Sequence, residues 1–181
     1  QSDLLARRLI MGIEAPGNFL YYLLDCVGLD SLAGRVYNWV NHSLLRPRIK
    51  KYLMVPGTNE ILTELGSKFP LAVVSSRDRR GTLGFLQNFD LTDHFKAIAT
   101  SQTCRYTKPF PDPIIWAAGQ MGVEPQECLM VGDTVVDIRA GKAAGAQTVG
   151  VLCGFGEENE LFRAGADLIL PSPIHLLEYV K

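Results

Sequence analysis

Residues 128–145 read CLMVGDTVVDIRAGKAAG, an apolar run that leads directly into an amphipathic segment. The apolar run, 128–132, has the length and side chains of a buried strand, and the pattern after it predicts a helix over about 134–144. Asp133 and Asp137 stand at the junction, and their i, i+4 spacing puts both on one helix face at the strand end. The segment therefore predicts a strand followed by a helix, with two carboxylates where they meet.

The same alternation runs on both sides of this unit, from Pro56-Gly57 to the end of the chain. Strands are predicted at 71–75, 96–100, 128–132, 148–152 and 167–170, and helices at about 58–68, 79–89, 111–121, 134–144, 157–164 and 173–180. Continuous apolar strands that alternate with helices indicate a parallel sheet covered on both faces. With right-handed crossovers, the sequence predicts a doubly wound α/β fold.

The chain before Pro56 has a different pattern. Apolar residues recur there at helical spacing without strand signals, and glycines stand near the expected helix ends. We predict a small all-helical domain over 1–54 and the α/β core over 55–181. A basic run over 46–51 lies where the helical part returns to the core. It is interpreted as a solvated face, with contact to an anionic substrate as the alternative.

Composition excludes several classes of function. The 181 residues carry a formal net charge of −1, so no field of one sign attracts nucleic acid or a membrane surface. No apolar run approaches the roughly 20 residues of a membrane helix. Four cysteines lack metal-ligand spacing and are interpreted as buried thiols. We expect a cytoplasmic protein that binds neither nucleic acid nor membrane, and the oligomeric state is left open.

Candidate functional residues follow the predicted strands, because ligands of such sheets bind beyond the carboxyl ends of the strands. Ser75 and Ser76 follow the first strand, Lys108 lies after the second, and Asp133 and Asp137 follow the third. A hydroxyl can bind phosphate oxygens, an ammonium balances their charge, and carboxylates hold Mg²⁺. We predict phosphoryl-transfer chemistry, with Ser75 and Lys108 as catalytic groups, Ser75, Ser76 and Lys108 as the phosphate site, and Asp133 and Asp137 as the metal site.

Each of these residues also has a structural interpretation. Ser75 and Ser76 suit a turn or a helix cap, and Lys108 suits a solvated loop. Asp133 suits the cap of the following helix, and Asp137 suits the positive end of its dipole. These alternatives stay open for each residue alone. Their joint occurrence at strand ends favours a common site.

With these motifs the sequence resembles the haloacid dehalogenase-like hydrolase superfamily, in its phosphoglycolate-phosphatase-like branch with a helical cap. Residues 73–76, VVSS, are similar to the second family motif, and 108–113, KPFPDP, to the third. Residues 131–137, VGDTVVD, are similar to the fourth motif, which holds Mg²⁺ in the family. The resemblance implies a Rossmann-like core and a Mg²⁺-dependent phosphatase that acts on a small phosphorylated metabolite through an aspartyl-phosphate. The segment 1–54 would be the cap that closes over the site.

The first motif of the family is missing from these residues. That motif is a strand ending in Asp-x-Asp, whose first aspartate is the nucleophile and whose second is the acid/base, and no Asp-x-Asp occurs in the 181 residues. In the family this strand precedes the cap and lies between the strands of Ser75 and Cys128. We therefore expect a further N-terminal segment that supplies the central strand.

Four other functions share parts of this pattern with a phosphatase. A non-catalytic binding or regulatory member fits the absent nucleophile, and a phosphomutase uses the same scaffold. A 2-haloacid dehalogenase needs no metal, which fits the Asp133 and Asp137 pair less well. In receiver domains the acidic groups precede the hydroxyl and the lysine, whereas here Ser75 and Lys108 precede Asp133. The glycines of 153–156, CGFG, match a dinucleotide fingerprint only weakly.

Overall fold

The computed structural model describes residues 52–180. Of these, residues 53–180 belong to the second of the two units of the chain, Leu53–Lys181. Its elements are α1 (Thr58–Gly66), β1 (Ala72–Val74), α2 (Arg79–Asn88), β2 (Ala97–Ala99), α3 (Asp112–Met121), β3 (Leu129–Gly132), α4 (Val135–Ala144), β4 (Gln147–Val151), α5 (Glu158–Arg163) and β5 (Leu168–Leu170), with 3-10 helices at Thr92–His94, Pro125–Glu127 and Pro173–Glu178. Every strand and helix predicted after Gly57 is present within about two residues, a usual scatter for element ends. The last one, predicted as 173–180, is a 3-10 helix.

Two expectations fall largely outside the described residues. The helical cap predicted over 1–54 overlaps them only at 52–54, and the basic run over 46–51 does not overlap them. Within residues 52–180, no helix combines the length and the apolar character needed to cross a membrane.

The strands pair in parallel, and the predicted α/β class is confirmed. Val73 of β1 lies opposite Ile98 of β2, and β3, β4 and β5 form a second sheet in that order. Within the described part of the chain, β1 pairs only with β2, and β3 pairs only with β4. Each of β1 and β3 therefore has one edge without a strand partner in residues 52–180.

Helices cover both faces of this arrangement. Successive strand residues point to opposite sides, so a continuous apolar strand has apolar side chains on both faces that need covering. On one face, α1 and the 3-10 helix Pro173–Glu178 contact each other and enclose a core of Ile61, Val149, Val151, Leu170 and Leu176. On the other face, α3 packs on β1 and β2, while α4 packs on β3 and β4. The two helices also contact each other, around a cluster that both Val74 of β1 and Met130 of β3 touch. This helix pair joins the two sheets.

Asp167 ties β5 to β4 and α4 at the amino ends of the strands. Its Oδ1 accepts from Lys142 Nζ at 2.7 Å, and its Oδ2 accepts from the backbone N–H and the hydroxyl of Thr148 at 2.9 and 2.8 Å. These donors, Lys142 foremost, lower the pKa of Asp167 to about 2. The contact fixes the register of β4 and β5 at the end of the sheet opposite to Asp133.

Candidate active site

Lys108 connects the carboxyl end of β1 to the first turn of α4. Its Nζ donates to the carbonyl oxygen of Val74 at 2.9 Å and to Oδ1 of Asp137 at 2.6 Å. The side chain of Lys108 is only 9% exposed. A desolvated ammonium needs such partners, because burying an unpaired charge is costly. The solvated-loop interpretation of Lys108 is therefore wrong.

Asp137 is held by donors on both of its carboxylate oxygens. Oδ1 accepts from Lys108, and Oδ2 accepts from the backbone N–H and the hydroxyl of Thr134 at 3.0 and 2.7 Å. Thr134 is the N-cap of α4, and the two residues form a capping box. A Cβ on Gly132 would lie 2.3 Å from the Cβ of Asp137, so only glycine leaves room for this carboxylate over the end of β3. Asp137 is thus set in place before any ligand binds.

Asp133 is half-buried and, unlike Asp137, is held by the segment after β4. Its Oδ2 accepts from the N–H of Phe155 at 2.9 Å, and its backbone oxygen accepts from the N–H of Gly156 at 2.7 Å. The capping role considered for Asp133 belongs to Thr134 instead. Within residues 52–180, Oδ1 of Asp133 makes no hydrogen bond, which leaves one oxygen to bind a ligand. The neighbouring Cys153 is exposed, and Cys104 and Cys128 are half-buried, so the buried-thiol interpretation is wrong for these three cysteines. Partial desolvation and, less strongly, Asp133 raise the pKa of the Cys153 thiol.

Ser75 and Ser76 lie in the turn after β1. The N–H of Ser75 extends the strand ladder to Ala99, and its Oγ accepts from the N–H of Arg77 at 3.1 Å. Ser76 is exposed. The turn interpretation of Ser75 is therefore confirmed. Ser75 directly follows Val74, whose carbonyl oxygen accepts from Lys108. The turn therefore begins next to the bound ammonium of Lys108.

The three charged side chains of the predicted site favour a cation. Lys108 contributes +1, and Asp133 and Asp137 contribute −2, so the three groups sum to a formal −1. A phosphate monoester with a charge of about −2 would be repelled unless a cation offset this balance. Within the described residues, no group of three or more His, Cys, Asp or Glu side chains is placed to hold a metal. Mg²⁺ needs only one or two carboxylates beside water and substrate phosphate, and the available oxygen of Asp133 fits that requirement.

Sequence reasoning missed four residues around the two aspartates. Thr134 orients Asp137, and Gly154, Phe155 and Gly156 contact Asp133. The segment 153–156 follows β4, which is the strand paired with β3. Its position at the carboxyl end of an adjacent strand was the signal that could have placed it beside Asp133.

Comparisons with known proteins agree with this geometry. A family model described as haloacid dehalogenase-like hydrolase matches residues 25–151. The pyrophosphatase PpaX of Bacillus pumilus is 34% identical over 81% of this chain and 65% of its own length. The phosphoglycolate phosphatase of Escherichia coli K12 is 31% identical over 68% of this chain and 50% of its own. A crystal structure of β-phosphoglucomutase from Clostridium difficile superposes with a TM-score of 0.60, at 26% identity, over 70% of this chain and 54% of that one.

The chain thus spans between about half and two thirds of the length of these curated relatives. The resemblance predicted from the motifs, including its phosphoglycolate-phosphatase-like branch, is confirmed by the family match and by both relatives. The family model matches more than half of the chain, and the fold agrees with a solved structure of the same family. The chain belongs to the haloacid dehalogenase-like hydrolases, a family of enzymes.

Proposed function

We propose that this protein is a Mg²⁺-dependent phosphatase that acts in the cytoplasm on a small phosphorylated metabolite through an aspartyl-phosphate. The observation that carries the proposal is the buried ammonium of Lys108, held between the last carbonyl of β1 and Asp137 next to Asp133. Phosphoryl transfer depends mainly on positioning and on charge stabilisation, which this arrangement supplies. The named activities of the pyrophosphatase and phosphoglycolate phosphatase relatives support the same class.

Each residue has a role in this proposal that follows from its contacts. Lys108 neutralises charge on the phosphoryl group, and Asp137 and Val74 keep its ammonium in place. Asp133 binds Mg²⁺ through its available oxygen, and Asp137 is a candidate second ligand because each carboxylate oxygen can accept more than one bond. Ser75 and Ser76 bind phosphate oxygens from the turn after β1. Bound Mg²⁺ would supply a positive charge that stabilises the transferring phosphoryl oxygens.

The nucleophile of this mechanism requires a further strand. β1 and β3 each have an edge without a partner in the described residues, yet Val74 and Met130 on these strands touch one cluster. We propose that one more parallel strand lies between them and carries Asp-x-Asp at its carboxyl end. Its first aspartate would then lie at the same sheet edge as Lys108 and Asp133, since parallel strands end together.

A screen for phosphate release tests the proposal in a chain that includes this strand. Phosphoglycolate, pyrophosphate and sugar phosphates are the substrates to compare, each with Mg²⁺ and with EDTA. We expect turnover that EDTA abolishes, and Asp133→Asn should lower Mg²⁺ affinity and turnover together. Asp93→Asn, at an exposed aspartate of a 3-10 helix, is the control and should behave as wild type. Turnover that EDTA leaves unchanged, or wild-type Mg²⁺ dependence in Asp133→Asn, would contradict the metal assignment.

Two alternatives remain within the family. A phosphomutase is favoured by the similarity to β-phosphoglucomutase, and analysis of the product separates it from a phosphatase. A non-catalytic binding protein would be favoured if the coding sequence upstream held no strand ending in Asp-x-Asp.

A further inference from the structure

We infer that the segment 153–156 is a positioning loop for Asp133: Gly154 and Gly156 make space for it, and Phe155 turns one carboxylate oxygen toward the site. The inference rests on the proposed function, in which Asp133 binds Mg²⁺. It assigns a role to the two glycines, which the catalytic motifs do not include.

The space around Asp133 shows why glycine is needed at position 154. A Cβ built on Gly154 would lie 2.0 Å from Oδ2 of Asp133 and 2.5 Å from its Cγ. Any side chain at 154 would therefore occupy the volume that the carboxylate now fills. The three nearest atoms all belong to the side chain of Asp133. Turning that side chain moves its Oδ2 and Cγ away, whereas its Cβ, 2.6 Å from the added Cβ, is fixed to the backbone and needs a small backbone shift.

Gly156 makes a contact of another kind. A Cβ there would lie 2.3 Å from the backbone oxygen of Asp133 and 3.0 Å from Leu161 Cδ2. The N–H of Gly156 also donates to that same backbone oxygen at 2.7 Å. Relief at 156 requires backbone movement in a buried place, so a substitution there damages the fold. A substitution at 154 acts mainly on the carboxylate of Asp133, whereas one at 156 acts on its backbone, so position 154 is the better test of positioning.

The N–H of Phe155 completes the arrangement. It donates to Oδ2 of Asp133 at 2.9 Å, and this bond leaves Oδ1 as the oxygen available to a cation. Groups that orient a metal-binding carboxylate typically change metal affinity by about 10–100-fold when they are lost. Turning the carboxylate away from the N–H of Phe155 should therefore weaken Mg²⁺ binding on that scale.

Calorimetric titration of Mg²⁺ into the active enzyme tests this. Gly154→Ala should bind Mg²⁺ about 10–100-fold more weakly, and its unfolding temperature in EDTA shows whether the variant is folded at the temperature of the titration. Gly119→Ala is the matched control, because position 119 is an exposed helix site with no atom within 4 Å of an added Cβ. This control should bind Mg²⁺ as wild type does. Unchanged affinity in Gly154→Ala would overturn the inference.

A double-mutant cycle separates this inference from the proposed function. If Asp133→Ala leaves Mg²⁺ affinity unchanged, the metal assignment itself fails. If Asp133→Ala weakens binding but Gly154→Ala does not, only the positioning role fails. When Gly154 acts through Asp133, adding Gly154→Ala to Asp133→Ala should change the remaining affinity by less than about twofold, because interacting sites are not additive. Independent losses that add would overturn the inference.

A second measurement decides the matter if Gly154→Ala does not fold. In wild type, the amide resonance of Phe155 should shift during a Mg²⁺ titration with the same midpoint as the calorimetric binding curve. The exchange of that amide proton should also become faster in Asp133→Ala, which lacks the accepting oxygen. An amide resonance that does not respond to Mg²⁺ would overturn the positioning role.

Discussion

Lys108 and Asp137 lie 29 residues apart in the sequence and form a buried ion pair, with Nζ 2.6 Å from Oδ1. The lysine comes from the loop after β2, and the aspartate comes from the first turn of α4. The pair therefore links the two sheets at their carboxyl ends, in addition to the contact between the helices α3 and α4. A charge pair that is this well buried ties the integrity of the site to that of the fold.

Replacing Lys108 should affect stability and turnover in separable ways. Lys108→Met leaves the Asp137 carboxylate without its ammonium, and breaking a buried pair costs about 3–5 kcal/mol of unfolding free energy. Turnover should fall by about 10²–10³, the scale for loss of one electrostatic group. The double variant Lys108→Met/Asp137→Asn should recover part of the stability without activity. Chemical denaturation and initial rates measure the two effects.

The control for this prediction is Lys142→Met, which removes a second lysine that pairs with an aspartate in the described part of the chain. Lys142 is 41% exposed and lies at the opposite end of the strands. Its loss should leave turnover unchanged. A fall of less than about threefold in the turnover of Lys108→Met would count against the role of Lys108.

The hydroxyl of Thr134 should contribute to both the stability and the turnover of the protein. Thr134→Val keeps the shape of the side chain but removes the donor to Asp137 and the cap of α4, which should cost about 1 kcal/mol of stability. Turnover should fall less than in Lys108→Met, because the backbone N–H still holds Asp137. Thr134→Ser keeps the hydroxyl and should retain both properties. Equal behaviour of the valine and serine variants would contradict the capping-box role.

Asp167 predicts a pH dependence of stability. Its pKa is lowered from the ordinary 3.8 to about 2 in the folded state, so the folded protein favours the charged form. The resulting stabilisation is fully present above pH 4 or so and is lost as the pH falls toward 2. In Asp167→Asn, the urea midpoint should be lower than in wild type at pH 7, and this difference should shrink from about pH 4 downward. A difference independent of pH would show that the charge of Asp167 plays no part.

The strand proposed between β1 and β3 predicts the behaviour of the 181-residue segment by itself. Without that strand, backbone N–H and C=O groups on the facing edges of β1 and β3 stay unpaired. Each would cost about 1–3 kcal/mol if buried, and a handful of them would exceed a typical domain stability of about 5–15 kcal/mol. We therefore expect the segment alone to fold poorly and to be inactive, and an added N-terminal strand ending in Asp-x-Asp to restore a cooperative melt. A cooperative melt with Mg²⁺-dependent phosphatase activity in the segment alone would refute this expectation. Cooperative folding without activity would favour the non-catalytic alternative.

Much of the fold after Gly57 was predictable because its signals are local. Apolar runs such as 128–132 and the helical periodicity of 134–144 depend on neighbouring residues only, so the order of the elements and their parallel pairing followed. The rule that ligands bind beyond the strand ends then led to Ser75, Lys108 and Asp133 without coordinates. Their chemical roles stay predictions that the experiments above address.

The sequence by itself determined the alternation of strands and helices and the residue types that follow each strand. Only the tertiary structure decided that Lys108 is buried against Asp137, that Thr134 rather than Asp133 caps α4, and that the 153–156 loop encloses Asp133. The contacts of Lys108 with Asp137 and of Phe155 with Asp133 join segments 29 and 22 residues apart, and which segments meet depends on strand order and on the path of each loop. Local periodicity carries no information on either, because it reports which side of an element is buried and not what lies against it.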